Sequence, residues 1–467
     1  MHDAVSLGRL DAMGQAELCR RGEVSERELR EAALARIDSL DPLLHAVVTI
    51  DREPPAPAAD GPLRGVPFVM KDSTPWPDLR WSMGSRLFRA NVARQQTPYG
   101  RRLVESGLVC VGKSAMSELG LLGSTETLLE GITHNPWSLS RSATGSSGGS
   151  AVAVAAGLVP IAHGNDGGGS IRVPAAACGV FGFKPSRGRT VPAALGRNDF
   201  LDITSDHCLT RSVRDSALFL SLTEDHTASR SVGFVREPVS RSLRVAAWHR
   251  TMLGGAAEPA IVRAHEATIA LLVALGHEVV PVEAPRYEGS ALSDAFFVVA
   301  GAAVASVVDT IDAMRGTPVQ EDELEPFGWA LAELFRAGGP DALPRARAAF
   351  ADAVRVYRET TRGFDVVLTP TLATEVWPLG HLSPVLPRET LIERTGRAVG
   401  YTPMANIAGC PAMSVPLHTS EDGLPIGAHF AAAAGEDALL LSLAYQLERA
   451  RPWADRWPPY SIHSLAR

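Results

Sequence analysis

From about residue 100 to its end, the chain alternates apolar runs too short to be helices with longer segments of helical period. That alternation narrows the fold more than any other feature, because it calls for strands joined through helices. Strands are expected at 109–111, 158–163, 243–249, 278–282, 365–368, 412–415 and 426–430. Helices are expected at 150–156, at 259–275 with a stop at Gly276, and at 437–449. Nearer the N-terminus, Ser25 and Glu28 form a capping box ahead of Leu29, Ala33, Ile37 and Leu40, which share one helix face. The fold class is therefore α/β: a mixed, mostly buried β-sheet covered by helices on both faces. No period of about 20 to 50 residues recurs, which disfavours solenoids and propellers.

At 467 residues the chain is long enough for about three domains by the usual prior. No linker divides it, since the patch Pro54-Pro55-Ala56-Pro57 is short enough to be a loop, and one domain over 1–467 is expected. The net charge of −7, with no basic run, leaves no electrostatic footprint for nucleic acid or an anionic membrane. The apolar runs 151–162 and 295–308 fall short of the roughly 20 residues of a spanning helix. Five cysteines, at 19, 110, 178, 208 and 410, show neither paired nor metal-ligand spacing, which fits a reducing compartment. The N-terminus has no basic segment ahead of an apolar core, so a cytoplasmic location is expected.

The chemistry concentrates in three places. Ser146 lies in Gly145-Ser146-Ser147-Gly148-Gly149-Ser150, Ser170 follows Asp166-Gly167-Gly168-Gly169, and Lys71 ends the apolar run Val66-Pro67-Phe68-Val69-Met70. A hydroxyl attacks poorly until a base takes its proton, and a lysine stripped of water can be that base because burial disfavours its charged form. The amides of Gly167, Gly168 and Gly169, unobstructed by side chains, could face the oxyanion formed when a carbonyl is attacked. Each fragment alone reads more readily as a turn; the ordered set points to acyl transfer.

Other chemistries fare worse. Gly107-Leu108-Val109-Cys110-Val111-Gly112-Lys113-Ser114 spells a phosphate loop, but the four residues between its glycines read as a strand. His134 and His163 flank the motifs without a nucleophile elbow or an evident acidic partner, so packing or hydrogen bonding is their expected role. No clustered His and carboxylate set is present, and neither a metal nor a cofactor is expected.

The quoted motifs, with Asn135-Pro136-Trp137, Gly182-Phe183-Lys184-Pro185-Ser186 and Gly423-Leu424-Pro425-Ile426-Gly427, resemble those of the amidase signature hydrolases along nearly the whole chain. The resemblance implies a single large domain and a Ser-cisSer-Lys triad. Ser170 would be the nucleophile, Ser146 the bridging serine after a cis peptide bond, Lys71 the terminal base, and Gly167 to Gly169 the oxyanion hole. Thr144, where relatives often carry Gly, and Ala115, where many carry Asn, depart from the pattern. Asp166 and Arg172 are expected to pair and support the loop; the rival reading has Arg172 bind a substrate carboxylate.

Asn165-Asp166-Gly167-Gly168 and Leu368-Thr369-Pro370-Thr371 resemble the branch containing 6-aminohexanoate-cyclic-dimer hydrolase. A small to medium linear or cyclic amide is the expected substrate and partner, with a homodimer left open. The alternatives are the glutamine-hydrolysing subunit of a tRNA-dependent amidotransferase and an amide-forming acyl transferase. Residues 294–347 could cap an acyl pocket or be plain helical packing.

Overall fold

A computed structural model describes residues 3–195, 203–227 and 231–465. Eleven strands form one sheet: β1 (Val47–Ile50), β2 (Pro67–Lys71), β3 (Val109–Ser114), β4 (Ile161–Asp166), β5 (Phe181–Lys184), β6 (Ser205–Thr210), β7 (Arg244–Ala247), β8 (Glu278–Pro281), β9 (Val366–Pro370), β10 (Ala412–Thr419) and β11 (Pro425–Ala432). Their spatial order is β1-β3-β2-β4-β6-β5-β10-β11-β9-β7-β8. Strands β3, β2 and β4 run parallel, as do β9, β7 and β8, while the pairings from β4 through β11 to β9 are antiparallel. The sheet is thus mixed, within the α/β class the alternation implied.

Burial on both faces explains why the strands read as continuous apolar runs. In β2, Val69 packs into one core with the Gly148–Ala155 helix, while Phe68 and Met70 point into another with Tyr99 and Phe219. The Ser25 hydroxyl accepts from the Glu28 N–H, and the Glu28 carboxylate accepts from the Ser25 N–H, completing the expected capping box on the Glu26–Leu44 helix. Every residue of the Gly148–Ala155 helix is buried. Its glycines permit that approach: a Cβ on Gly149 would stand 2.4 Å from the Ala115 N and 2.5 Å from the Ala46 O.

The strand expected at 158–163 begins three residues later, at Ile161. Gly157 turns left-handed at φ 76°, and the Leu158 N–H returns to the Ala153 carbonyl, so 157–158 cap the preceding helix. The shift carries the strand through Asn165 and Asp166, to the edge of the glycine loop.

The run 295–308, short of a membrane span by itself, does not form an element of its own. That run lies within a 27-residue helix, Gly289–Arg315, long and apolar enough to cross a membrane by length and composition. Half of its most apolar stretch is buried, under the Pro326–Ala337 and Ala342–Thr360 helices among others.

Candidate active site

Lys71 is the last residue of β2, and its side chain is fully buried. Its Nζ donates to the Ser146 Oγ at 2.7 Å and to the Asn165 Oδ1 at 2.5 Å. Burial pushes the ammonium down to about 7, against the pull of the Asp206 and Asp166 carboxylates. Beside it, the Lys113 Nζ pairs with Asp72 at 3.0 Å and donates to the Thr74 carbonyl. Lys113 thus neutralises the carboxylate adjoining Lys71 in sequence, and its place inside β3 removes the phosphate-loop reading.

The peptide bond between Gly145 and Ser146 is cis. Thr144 is left-handed at φ 58°, a conformation that favours glycine. The Ser147 N–H donates to the Ser170 carbonyl at 3.2 Å, and the Ser147 hydroxyl to the Asn165 carbonyl at 3.3 Å. These contacts tie the two serine loops together. Ser146, Asn165, Ser170 and Gly167 to Gly169 line one cavity of about 690 Å³.

Asp166 and Arg172 are fully buried and doubly paired, with Arg172 Nη2 to Asp166 Oδ1 at 2.8 Å and Nε to Oδ2 at 2.9 Å. Burial alone would raise the Asp166 carboxyl; the Arg172 guanidinium instead holds it well below the usual carboxylate range. Arg172 also donates to the Thr402 carbonyl and the Asn406 Oδ1. A guanidinium so enclosed is not exposed to a substrate carboxylate, which removes the rival reading.

Asp166 also accepts from the N–H groups of Gly169 at 2.7 Å and Ile171 at 3.1 Å. Of the three expected oxyanion amides, Gly169 is therefore turned back into the loop, at φ 133°, instead of toward the cavity. Among the described residues, no hydrogen bond engages the Gly167 or Gly168 N–H.

The His163 ring is buried against Tyr99, with Nε2 3.3 Å from the Asp206 Oδ1 but not aligned for a hydrogen bond. His134 contacts the Leu139 carbonyl. Neither histidine bonds to Ser146 or Ser170 among the described residues. Sequence reasoning missed Asn165 and Asp206. Asn165 carried one signal, a polar residue at the end of an apolar strand; Asp206 arrives only through its cross-strand pairing with Asn165.

The sequence matches the family model described as Amidase over residues 28–441. The chain belongs to the amidase family. Its relatives include a 6-aminohexanoate-cyclic-dimer hydrolase of Pseudomonas sp. (strain NK87), 35% identical over 96% of each chain. An acylamidase of Rhodococcus erythropolis is 32% identical over 97% of this chain and 98% of its own. A solved 6-aminohexanoate cyclic dimer hydrolase superposes with a TM-score of 0.87 at 32% identity, over 97% of this chain and 99% of its own. This amidase is accordingly a hydrolase of amide carbon–nitrogen bonds.

Proposed function

We propose that this amidase hydrolyses a small to medium linear or cyclic amide through a covalent acyl-enzyme on Ser170. Neutral Lys71 takes the Ser146 hydroxyl proton as Ser146 takes that of Ser170, whose Oγ bonds to the amide carbon. The N–H groups of Gly167 and Gly168 face the oxyanion. When the tetrahedral intermediate collapses, the carbon–nitrogen bond breaks and the proton returns through Ser146 to the leaving nitrogen. Water then repeats the attack and releases the carboxylic acid.

The observation that carries this reading is the buried Lys71 amine 2.7 Å from Ser146, on the wall of the cavity that Ser170 shares. A fluorophosphonate should add to Ser170 and to no other serine by peptide mass spectrometry; labelling elsewhere rejects the assignment. A panel of aryl, aliphatic and cyclic amides with glutamine, run against Ser170→Ala, identifies the substrate class. Preference for glutamine would move the assignment to an amidotransferase subunit. The reading has the chain act on a free small molecule, in a reducing cytoplasm where its five unpaired cysteines persist.

A further inference from the structure

The cavity at Ser170 is chemically lopsided. Among the described residues lining it, the ionisable ones are Arg187 and Asp206. They stand on neighbouring strands or just beyond them, on the side of Asn165, Thr204 and Ser205. The rest of the wall is largely apolar, and one side is a single face of the Gly289–Arg315 helix. Leu292, Phe296, Ala300, Ala303 and Val307 follow one another at intervals of three or four residues, so they form one continuous stripe. Phe296 marks the catalytic end: a Cβ on Gly168 would lie 2.7 Å from its Cζ, so the ring rests on the loop that carries Ser170.

We infer that this apolar arm is an acyl channel, taking an unbranched aliphatic acyl group of roughly eight to twelve carbons whose carbonyl lies at Ser170. The inference rests on the Ser170 reading above and names its substrate class. From Phe296 to Val307 the helix advances about 16 Å. An extended chain advances about 1.2 Å per bond, so that length accommodates roughly twelve bonds. The direction follows from the proton path. The departing nitrogen must face Ser146, which returns its proton, and so points toward the Lys71 and Asn165 side. The acyl substituent is left the uncharged arm. Ala300 and Ala303 provide the width beyond Phe296, which makes them specificity-determining positions.

The test is kcat/KM for p-nitroanilides of acetic, butyric, hexanoic, octanoic and decanoic acids, beside N-alkyl acetamides from methyl to octyl. The acyl series should rise roughly three- to fourfold per methylene through decanoyl, while the alkylamine series stays nearly flat. In Ala303→Phe the octanoyl-to-acetyl ratio should fall at least tenfold, with folding checked by circular dichroism. If that variant does not fold, the wild-type series decides. An acyl series that is flat or falling, or a rise confined to the alkylamine series, overturns the channel while leaving Ser170 chemistry intact. Failure to cleave any anilide or acetamide, with no fluorophosphonate adduct on Ser170, would instead remove the reading beneath it.

Discussion

If Lys71 is the terminal base, the reaction should titrate with it. Only the neutral amine can accept the Ser146 proton, and burial brings its protonation into reach at about 7. With an amide that has no ionisable group, kcat/KM should be near its plateau at pH 8 and halved at about pH 7. It should fall to about 1% at pH 5, because each pH unit below the midpoint removes about tenfold of the active form. Lys184 and Glu118 are also shifted by burial to about 7, so a limb at that pH does not by itself name Lys71.

Asp206→Asn separates them. The Asp206 carboxylate holds the Lys71 proton on, and its removal should move the acid limb below 7. The charges acting on Lys184 come from Arg172, Asp166, Cys410 and Asp437, and those on Glu118 from Arg86. Stopped-flow or plate-reader rates between pH 5 and 9, for wild type and Asp206→Asn, make the comparison. A flat profile down to pH 5, or a limb that stays put in Asp206→Asn, refutes the assignment of Lys71 as base.

Stability should report the same buried amine. Folding keeps uncharged an amine that the unfolded chain protonates, so wild-type stability rises with pH from about 7 to 10.5, a span of about 5 kcal/mol at most. Lys71→Met removes that cost and loses two hydrogen bonds of about 1 to 2 kcal/mol each. The variant should be inactive yet as stable as wild type or more stable by up to about 2 kcal/mol in urea at pH 7, and less stable than wild type by pH 10. Arg172→Lys strips the fork that pairs with Asp166 and leaves a buried carboxylate underpaired, so it should cost about 3 to 5 kcal/mol and most of the activity. A decline in affinity for acidic amides alone, without destabilisation, would contradict that outcome. Gly149→Ala drives a methyl into the Ala115 and Ala46 backbone, which cannot yield as a flexible side chain would. It should lower the unfolding midpoint by more than a surface Gly→Ala change does, or prevent folding.

The segments that the sequence located best were those whose local and tertiary preferences agree. Helix 259–275 needed only its apolar face and Gly276 to be bounded, and the observed Pro259–Ala274 differs by one residue. Ser25 and Glu28 cap each other through contacts three residues apart, so nothing distant is required. Strand 158–163 was misplaced because its first residues are as apolar as a strand but serve as a helix cap. Apolarity cannot distinguish those uses.

Lys71, Ser146, Ser170, Asp166 and Arg172 were nameable from the chain alone, since a lysine ending an apolar run and two serine-bearing glycine-rich loops, each commonplace by itself, form an ordered set that resembles the amidase signature. What the chain could not say is how they meet. Lys71 and Ser146 are 75 residues apart, and their 2.7 Å contact exists only because β2 and β4 pair in parallel with the Gly148–Ala155 helix packed on them. The lysine's basicity is likewise collective, set by burial under several elements and by Asp206, which β6 delivers across from Asn165. The residue types and their order were therefore determined by sequence. The Lys71–Ser146 contact, the turning of the Gly169 N–H onto Asp166, the burial of Arg172 and the uncharged wall of the Gly289–Arg315 helix were decided by tertiary structure, because distance and dielectric depend on elements far apart in the chain.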